Sequence, residues 1–491
     1  MVDSHLGNPG RVAATPLPLA LVVSAGCYLL LLFVGNSLLN DGDTYLHIAL
    51  GDWMIAHHAV PHVDTFSATM AGKPWISSEW LAQVLFAEAY SLAGWSGVVM
   101  LSAAAIASAL GLLTRYLLDK LPIGPALVLS AGAFVLASPH MLARPHALAL
   151  PVMVAWIAGL MRALDGRQAP PFALLPLMTL WANLHGGFTF GIFFIAPMAL
   201  EAVWAAEPSK RFRIGMDWCG FALAAIVAAC ITPYGPESIL VTLRILGLGE
   251  ALGLIGEWQP QSFSKLNAFV VCLWLGIGFT IYRGLTLPPI RILVLLGLVY
   301  MAFEHARNSE LLGLVAPLVI AAPLASHLGR PEAESFDWRG TLGIGPLGLI
   351  LALGGMSLAM AHLINYRPSP LVTPTRAVAA IKATGKTHIF NSYDFGDYLI
   401  AAGLAPFIDG RTELYGEAFF MRHHRAENLY DMNTFLEVLH DNHIDVTLLR
   451  PGTPAVGLLD RLKNWKRLYG DDFAVVHERT GPPSQELDQL Q

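Results

Sequence analysis

Charged side chains are scarce in this chain: Asp, Glu, Lys and Arg make up 13% of its 491 residues, about half of the roughly 25% usual in a soluble domain. That deficit excludes an ordinary soluble fold for most of its length. Cysteine is scarcer still. Only Cys27, Cys219, Cys230 and Cys272 occur. All four fall in apolar segments, where a thiol behaves as a small hydrophobe, so neither a disulfide framework nor a cysteine metal cluster is indicated. Basic tracts and zinc-ligand spacings are missing too. With a dispersed net charge of −6, that excludes a nucleic-acid partner. No internal repeat and no low-complexity segment is found.

What the chain does have is apolar length. It is 55% hydrophobic, with a mean hydropathy of +0.53, which makes it a polytopic membrane protein. A spanning helix needs about 20 apolar residues. Eleven stretches approach that: 17–39, 96–118, 123–140, 146–163, 171–184, 187–205, 215–232, 266–283, 289–303, 309–327 and 341–363. The first reads as a retained span, because no small-residue cleavage site ends it and other spans follow. Alternate loops collect the positive charge: Arg115 and Lys120, Arg162 and Arg167, Lys210 to Arg213, Arg283 and Arg291, then Arg330 and Arg339. With Arg11 these make twelve positives on one side. The positive-inside rule then puts the N-terminus in the cytoplasm and the C-terminus outside, as expected of a bacterial inner-membrane protein.

Two interrupted apolar stretches, 44–60 and 76–94, mix His47, Asp52, His57, Glu79 and Glu88 with Leu, Ile and Trp. They read as amphipathic helices at the interface, within one long first outer loop, 40–95. Residues 236–257 read the same way. Pro368, Pro370 and Pro374 mark a linker over 366–374, and 375–491 returns to globular charge density. Strand patterns at 388–390, 406–408 and 446–449, with a helical pattern at 433–442, predict a small α/β domain there. The expected fold is therefore mostly α: a transmembrane helical bundle of about eleven spans over 1–365, with an extracytoplasmic C-terminal α/β domain.

Ionisable residues at a membrane surface are costly unless they bind something, so the face that gathers them reads as the active face. The outer loops bring to it Asp41 and Asp43, Glu79, Arg144 and His146, His185, Glu257, and His305 and Arg307. Moving a sugar from a lipid phosphate to a hydroxyl needs a carboxylate for the nucleophile, cations for the departing phosphate and apolar grooves for the lipid. Asp43 is the first choice for base, with Asp41 beside it. Arg144 and Arg307 would neutralise the phosphate, and His146, His185 or His305 would assist by hydrogen bonding. Glu79 and Glu257 are further candidates.

The pattern of one span, then Asn40-Asp41-Gly42-Asp43-Thr44, then a long loop with Pro61-His62-Val63-Asp64-Thr65-Phe66-Ser67 and Ser78-Glu79-Trp80-Leu81, resembles the GT-C superfamily of membrane glycosyltransferases. It is closest in character to the bacterial protein mannosyltransferase and aminoarabinose transferase branch. Asn391 to Leu399 and Phe407 to Tyr415 look like the terminal domain of such proteins. The resemblance implies a polyprenyl-phosphate-linked sugar donor, a lipid, glycan or protein acceptor, and a catalytic role for Asp41 and Asp43. Some members use a divalent metal; here Asp41, Asp43 and Glu79 would offer it oxygen ligands. Plainer roles stand beside these: Asp43 as a helix cap, Glu79 as a first-turn carboxylate, and the arginines snorkelling to headgroups. Asp409-Gly410-Arg411 reads as a tight turn with a local ion pair closing a strand. A flippase for a lipid-linked sugar, or a noncatalytic envelope-assembly protein, is the alternative function.

Overall fold

The computed structural model describes residues 17–247, 249–254, 256–328 and 346–481. Arg11, Arg330, Arg339 and residues 341–345 of the last expected span lie outside them. Long runs of Leu, Ala, Val and Ile fold as helices, some across an internal proline (Pro151, Pro317 and Pro323), because a helix satisfies most backbone groups within the segment as a bilayer demands. In order these are α1 (Leu17–Phe33), α2 (Asp43–His57), α3 (Trp80–Leu118), α4 (Ile123–Ala137), α5 (Pro145–Asp165), α6 (Leu175–Leu184), α7 (Phe188–Phe193), α8 (Ile195–Ala205), α9 (Arg211–Ala229), α10 (Glu237–Leu246), α11 (Ala268–Arg283), α12 (Pro289–Glu304) and α13 (Asn308–Leu328). A further apolar helix covers Pro346–Leu363.

Among the described residues six helical segments are long and apolar enough to cross a membrane: Trp80–Leu118, Ile123–His140, Pro145–Asp165, Phe188–Ala205, Arg211–Ala229 and Asn308–Leu328. The chain is a membrane protein. The other expected spans coincide with shorter helices, so a total of eleven crossings goes beyond these six. The stretches 76–94 and 96–118 form two helices that meet at a kink and are labelled together as α3. The kink falls at Ala93 and Gly94, where Gly94 takes φ 58°, a left-handed conformation that a side chain would strain. The break turns the first part of α3 to lie along α2.

The helical core is packed by large side chains. Trp156, fully buried, stacks on Phe221 at 5.6 Å and donates its indole N–H to Gly191 O at 3.0 Å. Inside a membrane such packing and satisfied polar contacts, more than water exclusion, hold helices together. At the far end of α5, Arg291 of α12 meets Asp165 at 2.7 Å and Glu201 of α8 at 2.9 Å, and Lys120 meets Asp165 at 2.6 Å. This cluster ties four helices at the end opposite Arg144, one helix length away, or about 30 Å at 1.5 Å per residue.

The C-terminal region builds one four-stranded sheet, ordered β1-β2-β4-β3, from β1 (Ile389–Asn391), β2 (Val446–Leu449), β3 (Trp465–Gly470) and β4 (Val475–Arg479). β1 and β2 pair in parallel, Phe390 opposite Thr447, and the other pairings are antiparallel. The strand predicted at 406–408 does not form. Its backbone is taken by other partners: Phe407 N–H donates to Asn391 Oδ1 at 2.8 Å, Asn391 Nδ2 donates to Ile408 O at 2.8 Å, and Ala68 N–H donates to Pro406 O at 2.9 Å. The last bond, with Thr69 Oγ1 to Phe407 O at 2.7 Å, fastens this region to the loop between α2 and α3.

Candidate active site

A cavity of about 640 Å³ opens where the first loop, the starts of α5 and α13, the α6–α7 turn and the C-terminal region converge. Asp41 enters it through a local turn in which its Oδ1 accepts the Asp43 N–H at 3.0 Å. Gly42 is the N-cap of α2, so Asp43, its first residue, does not take the plainer capping role and faces the cavity. Arg144 arrives from the other side. The following Pro145 holds it extended (φ −126°, ψ 162°) and opens α5 at the next position. Its guanidinium forks onto both acids, Nε against Asp41 and Nη2 2.9 Å from Asp43 Oδ2. A planar fork spanning two carboxylates is a task for arginine in particular.

The other expected residues fall into place unevenly. His185 lies in the α6–α7 turn, where its Nδ1 accepts the Gly187 N–H at 3.0 Å, which leaves the ring proton on Nε2, 3.4 Å from Glu79 Oε1. His146 donates from Nε2 to His140 O at 3.0 Å and stands 3.8 Å from Glu310. Arg307 lies over the Trp258 ring at 4.5 Å. These residues all line the cavity. His305 does not. Its Nδ1 bonds to Trp258 O at 2.6 Å, so its ring serves the turn and not the site. Glu257 stands on the turn Gly256–Trp258, but its side chain lies outside the described residues.

The C-terminal region supplies a wall that the sequence reading did not assign to the site: Tyr393, Asp394, Asp397, Gly410, Arg411, Glu413 and Arg450. Asp409-Gly410-Arg411 closes no strand. Arg411 is buried between Asp409 and Asp64 at 2.7 Å each, with its plane near Trp75 at 4.7 Å. Asp397 accepts the Gly410 N–H at 2.8 Å, and its carboxyl and that of Asp43 converge over Gly410, where an added Cβ would stand 2.7 Å from Asp397 Oδ2 and 3.1 Å from Asp43 Oδ1. Burial pushes Asp43 well above the usual carboxylate range, against the pull of Arg144, with Asp41 and Asp397 adding to the rise. Asp397 is raised to about 7, by burial first and then by Asp409. His47, bonded to Gln83 Nε2 at 3.3 Å, is lowered to about 3 by burial and then by Arg144, so it is neutral.

A divalent cation does not fit this arrangement. Arg144 already fills the space between Asp41 and Asp43, Glu79 pairs with His185, and among the described residues no three His, Cys, Asp or Glu side chains surround a common point.

Comparison with solved structures gives the architecture a name. The archaeal oligosaccharyltransferase AglB from Archaeoglobus fulgidus, in complex with an inhibitory peptide and a dolichol-phosphate, superposes with a TM-score of 0.52 at 12% identity. The match covers 88% of this chain and 69% of that one. This is the GT-C fold of membrane glycosyltransferases. The apo oligosaccharyltransferase of the same organism matches over the same shares, with a TM-score of 0.50 and 10% identity. ArnT from Cupriavidus metallidurans, bound to undecaprenyl phosphate, aligns over 93% of this chain and 97% of its own at 12% identity, with a TM-score of only 0.33. No protein-family model matches the sequence, and no curated protein matches it either. Within the GT-C fold, the acids after the first helix were legible as a motif. The partners that reach them from the C-terminal region had one signal, the Asp and Gly residues of Tyr393 to Asp397 and Asp409 to Arg411.

Proposed function

We propose that this protein transfers a sugar from a polyprenyl-phosphate-linked donor to an acceptor hydroxyl at the extracytoplasmic face of a bacterial inner membrane. The observation that carries the reading is the placement of Asp41, Asp43 and Arg144 at the junction of an apolar helical wall and a polar outer wall, on a GT-C fold. Leu142, Leu150, Met153, Phe190 and Leu311 offer the lipid an apolar surface. AglB with its dolichol-phosphate supports a lipid-linked donor by analogy of fold. The basic residues gathered at the Arg291 end of the helices support a cytoplasmic placement of that end, with the cavity and the C-terminal α/β domain, 375–491, outside.

In this reaction the acceptor hydroxyl oxygen bonds to the anomeric carbon while the bond from that carbon to the phosphate oxygen breaks, and its electron pair leaves with the polyprenyl phosphate. Asp43 takes the hydroxyl proton; Asp41 and Arg144 hold it in position. Arg307, braced on Trp258, is the first cation for the departing phosphate, with Arg144, His146 and His185 near it. A single displacement inverts the anomeric centre. The acceptor is a lipid, a glycan or a protein. Transport fits less well, because the ionisable residues gather at the two ends of the helices and not along a path through the middle.

The test is mass spectrometry of lipid-linked and envelope glycans in cells lacking the protein, complemented with wild type or Asp43→Asn. Loss of a defined sugar, accumulation of its polyprenyl-phosphate donor, and rescue by wild type alone would support the transferase. Full rescue by Asp43→Asn at normal abundance would remove Asp43 as base and bring the transport and assembly readings forward.

A further inference from the structure

The helix that carries the proposed base carries a second polar group on the same face. His47 follows Asp43 by four residues in α2, so the two side chains stand one turn apart, about 5.4 Å along the helix. Both line the cavity, and His47 is only 8% exposed. Thr44 Oγ1 donates to Ala143 O at 3.0 Å, which holds this turn of α2 against the segment that bears Arg144. Arg144 and His146 are the charged and titratable groups that act on the His47 ring.

A buried relay sets the ring. Tyr234 O–H donates to Pro61 O at 2.9 Å and accepts the Ser77 N–H at 3.2 Å, Ser77 O–H donates to Gln83 Oε1, and Gln83 Nε2 stands 3.3 Å from His47 Nδ1. Each link fixes the next. Because the Ser77 hydroxyl takes the carbonyl oxygen of Gln83, the amide nitrogen faces the ring, and an amide nitrogen only donates. Nδ1 therefore accepts, and the single ring proton sits on Nε2. Gly51, one further turn along α2, lets the two helices come this close: a Cβ there would lie 2.1 Å from Gln83 O. Among the described residues no hydrogen bond takes up Nε2, so its N–H is left to the cavity.

We infer that His47 is a further catalytic residue of the transfer: its fixed Nε2–H donates a hydrogen bond to a phosphate oxygen of the polyprenyl-phosphate donor and of the departing polyprenyl phosphate. The inference rests on the transferase reading above. The company of Arg144 and His146 selects an anion as the acceptor of this bond. The one-turn offset from Asp43 suits attacking and departing oxygens on opposite sides of one carbon. As the hydroxyl oxygen bonds to the anomeric carbon, the bond from that carbon to the phosphate oxygen breaks and its electron pair stays on the phosphate. Nε2 keeps its proton throughout, and its hydrogen bond tightens as negative charge gathers on that oxygen.

The test measures binding of undecaprenyl phosphate, and of undecaprenol as the same chain without the anion, to the full-length protein in lipid nanodiscs by native mass spectrometry. Wild type is expected to prefer the phosphate. His47→Asn keeps an oxygen for Gln83 to donate to but stops short of the Nε2 position, so its affinity for undecaprenyl phosphate is expected to fall about tenfold, with undecaprenol unchanged. His47→Gln, whose longer amide returns an N–H to about that position, is expected to recover most of the loss. Undecaprenyl phosphate bound equally by wild type and His47→Asn overturns the inference, even where the glycan product falls, because the ring then serves the acceptor. An equal loss of both ligands, or His47→Gln no better than His47→Asn, overturns it too, since the ring would then only hold α2 to α3. Should His47→Asn not accumulate, His47→Phe, which keeps the ring shape without the N–H, decides in its place. If the wild type shows no preference for the phosphate over undecaprenol, the transferase reading fails first, and the role of His47 falls with it.

Discussion

Arg411 Nη1 lies 2.7 Å from Asp64 Oδ1, and with the Asp409 carboxylate on its other edge it locks the C-terminal region to the loop between α2 and α3. All three side chains are almost fully buried, and Tyr415 O–H closes the network onto Asp409 at 2.6 Å. A buried charge left without its partner is strongly destabilising, so Arg411→Met, which strands two carboxylates, is expected to cost about 3–5 kcal/mol. Thermal unfolding of the purified protein in detergent reads this directly. An unfolding temperature equal to wild type would show that the two regions are held by their backbone bonds instead.

Arg144 is asked to do something only its shape permits. Nε and Nη2 engage Asp41 and Asp43 separately, whereas a lysine ammonium would supply charge without the fork. Arg144→Gln is expected to lower the rate of sugar transfer by about 10²-fold, the usual effect of removing one preorganised polar group. Arg144→Lys should recover part of that loss. If Lys and Gln were equally poor, geometry would matter more than charge; if Lys matched wild type, the fork would be irrelevant.

The sequence made the helical body legible because a membrane leaves few alternatives: the long apolar runs among the described residues became helix, and the break expected between 76–94 and 96–118 falls at Ala93 and Gly94. The first-loop acids and Arg144 were legible for a similar reason, since charge beside apolar runs is conspicuous. Pro406 to Ile408 was misread because its alternation looks like a strand, whereas its hydrogen bonds go to the Asn391 side chain and to Ala68. Asp397, Gly410 and Arg411 escaped assignment because their partners Asp43 and Asp64 lie far away in sequence. His305 sits in the right loop but turns its ring to Trp258 O. Loop membership does not fix side-chain direction.

Asp397 also predicts a pH dependence of stability. An unfolded aspartate releases its proton near pH 3.9, but in the folded chain burial, then Asp409, raises Asp397 to about 7. Between about pH 4 and 7 the folded state therefore holds a proton that the unfolded state has lost. Its contribution is greatest at the acid end of that window and declines as pH rises through it. Asp397→Asn should flatten this slope in unfolding temperatures measured from pH 4.5 to 8. An unchanged slope would place the titration on another group.

The Arg291 cluster offers a prediction that the active site does not share. Arg291 reaches Asp165, Glu201 and the Val319 carbonyl at 2.7, 2.9 and 3.0 Å, with its side chain only 5% exposed. It joins α5, α8, α12 and α13 far from the cavity. Arg291→Met leaves Asp165 with Lys120 and Glu201 with no cation, so it is expected to destabilise by about 3–5 kcal/mol and to reduce membrane abundance. The double variant Arg291→Met, Glu201→Gln removes the stranded charge and should regain much of that loss, because a neutral pair avoids the desolvation penalty. Turnover per surviving molecule should stay near wild type in both. A fall in turnover per molecule, with abundance intact, would instead couple this end of the helices to the chemistry about 30 Å away.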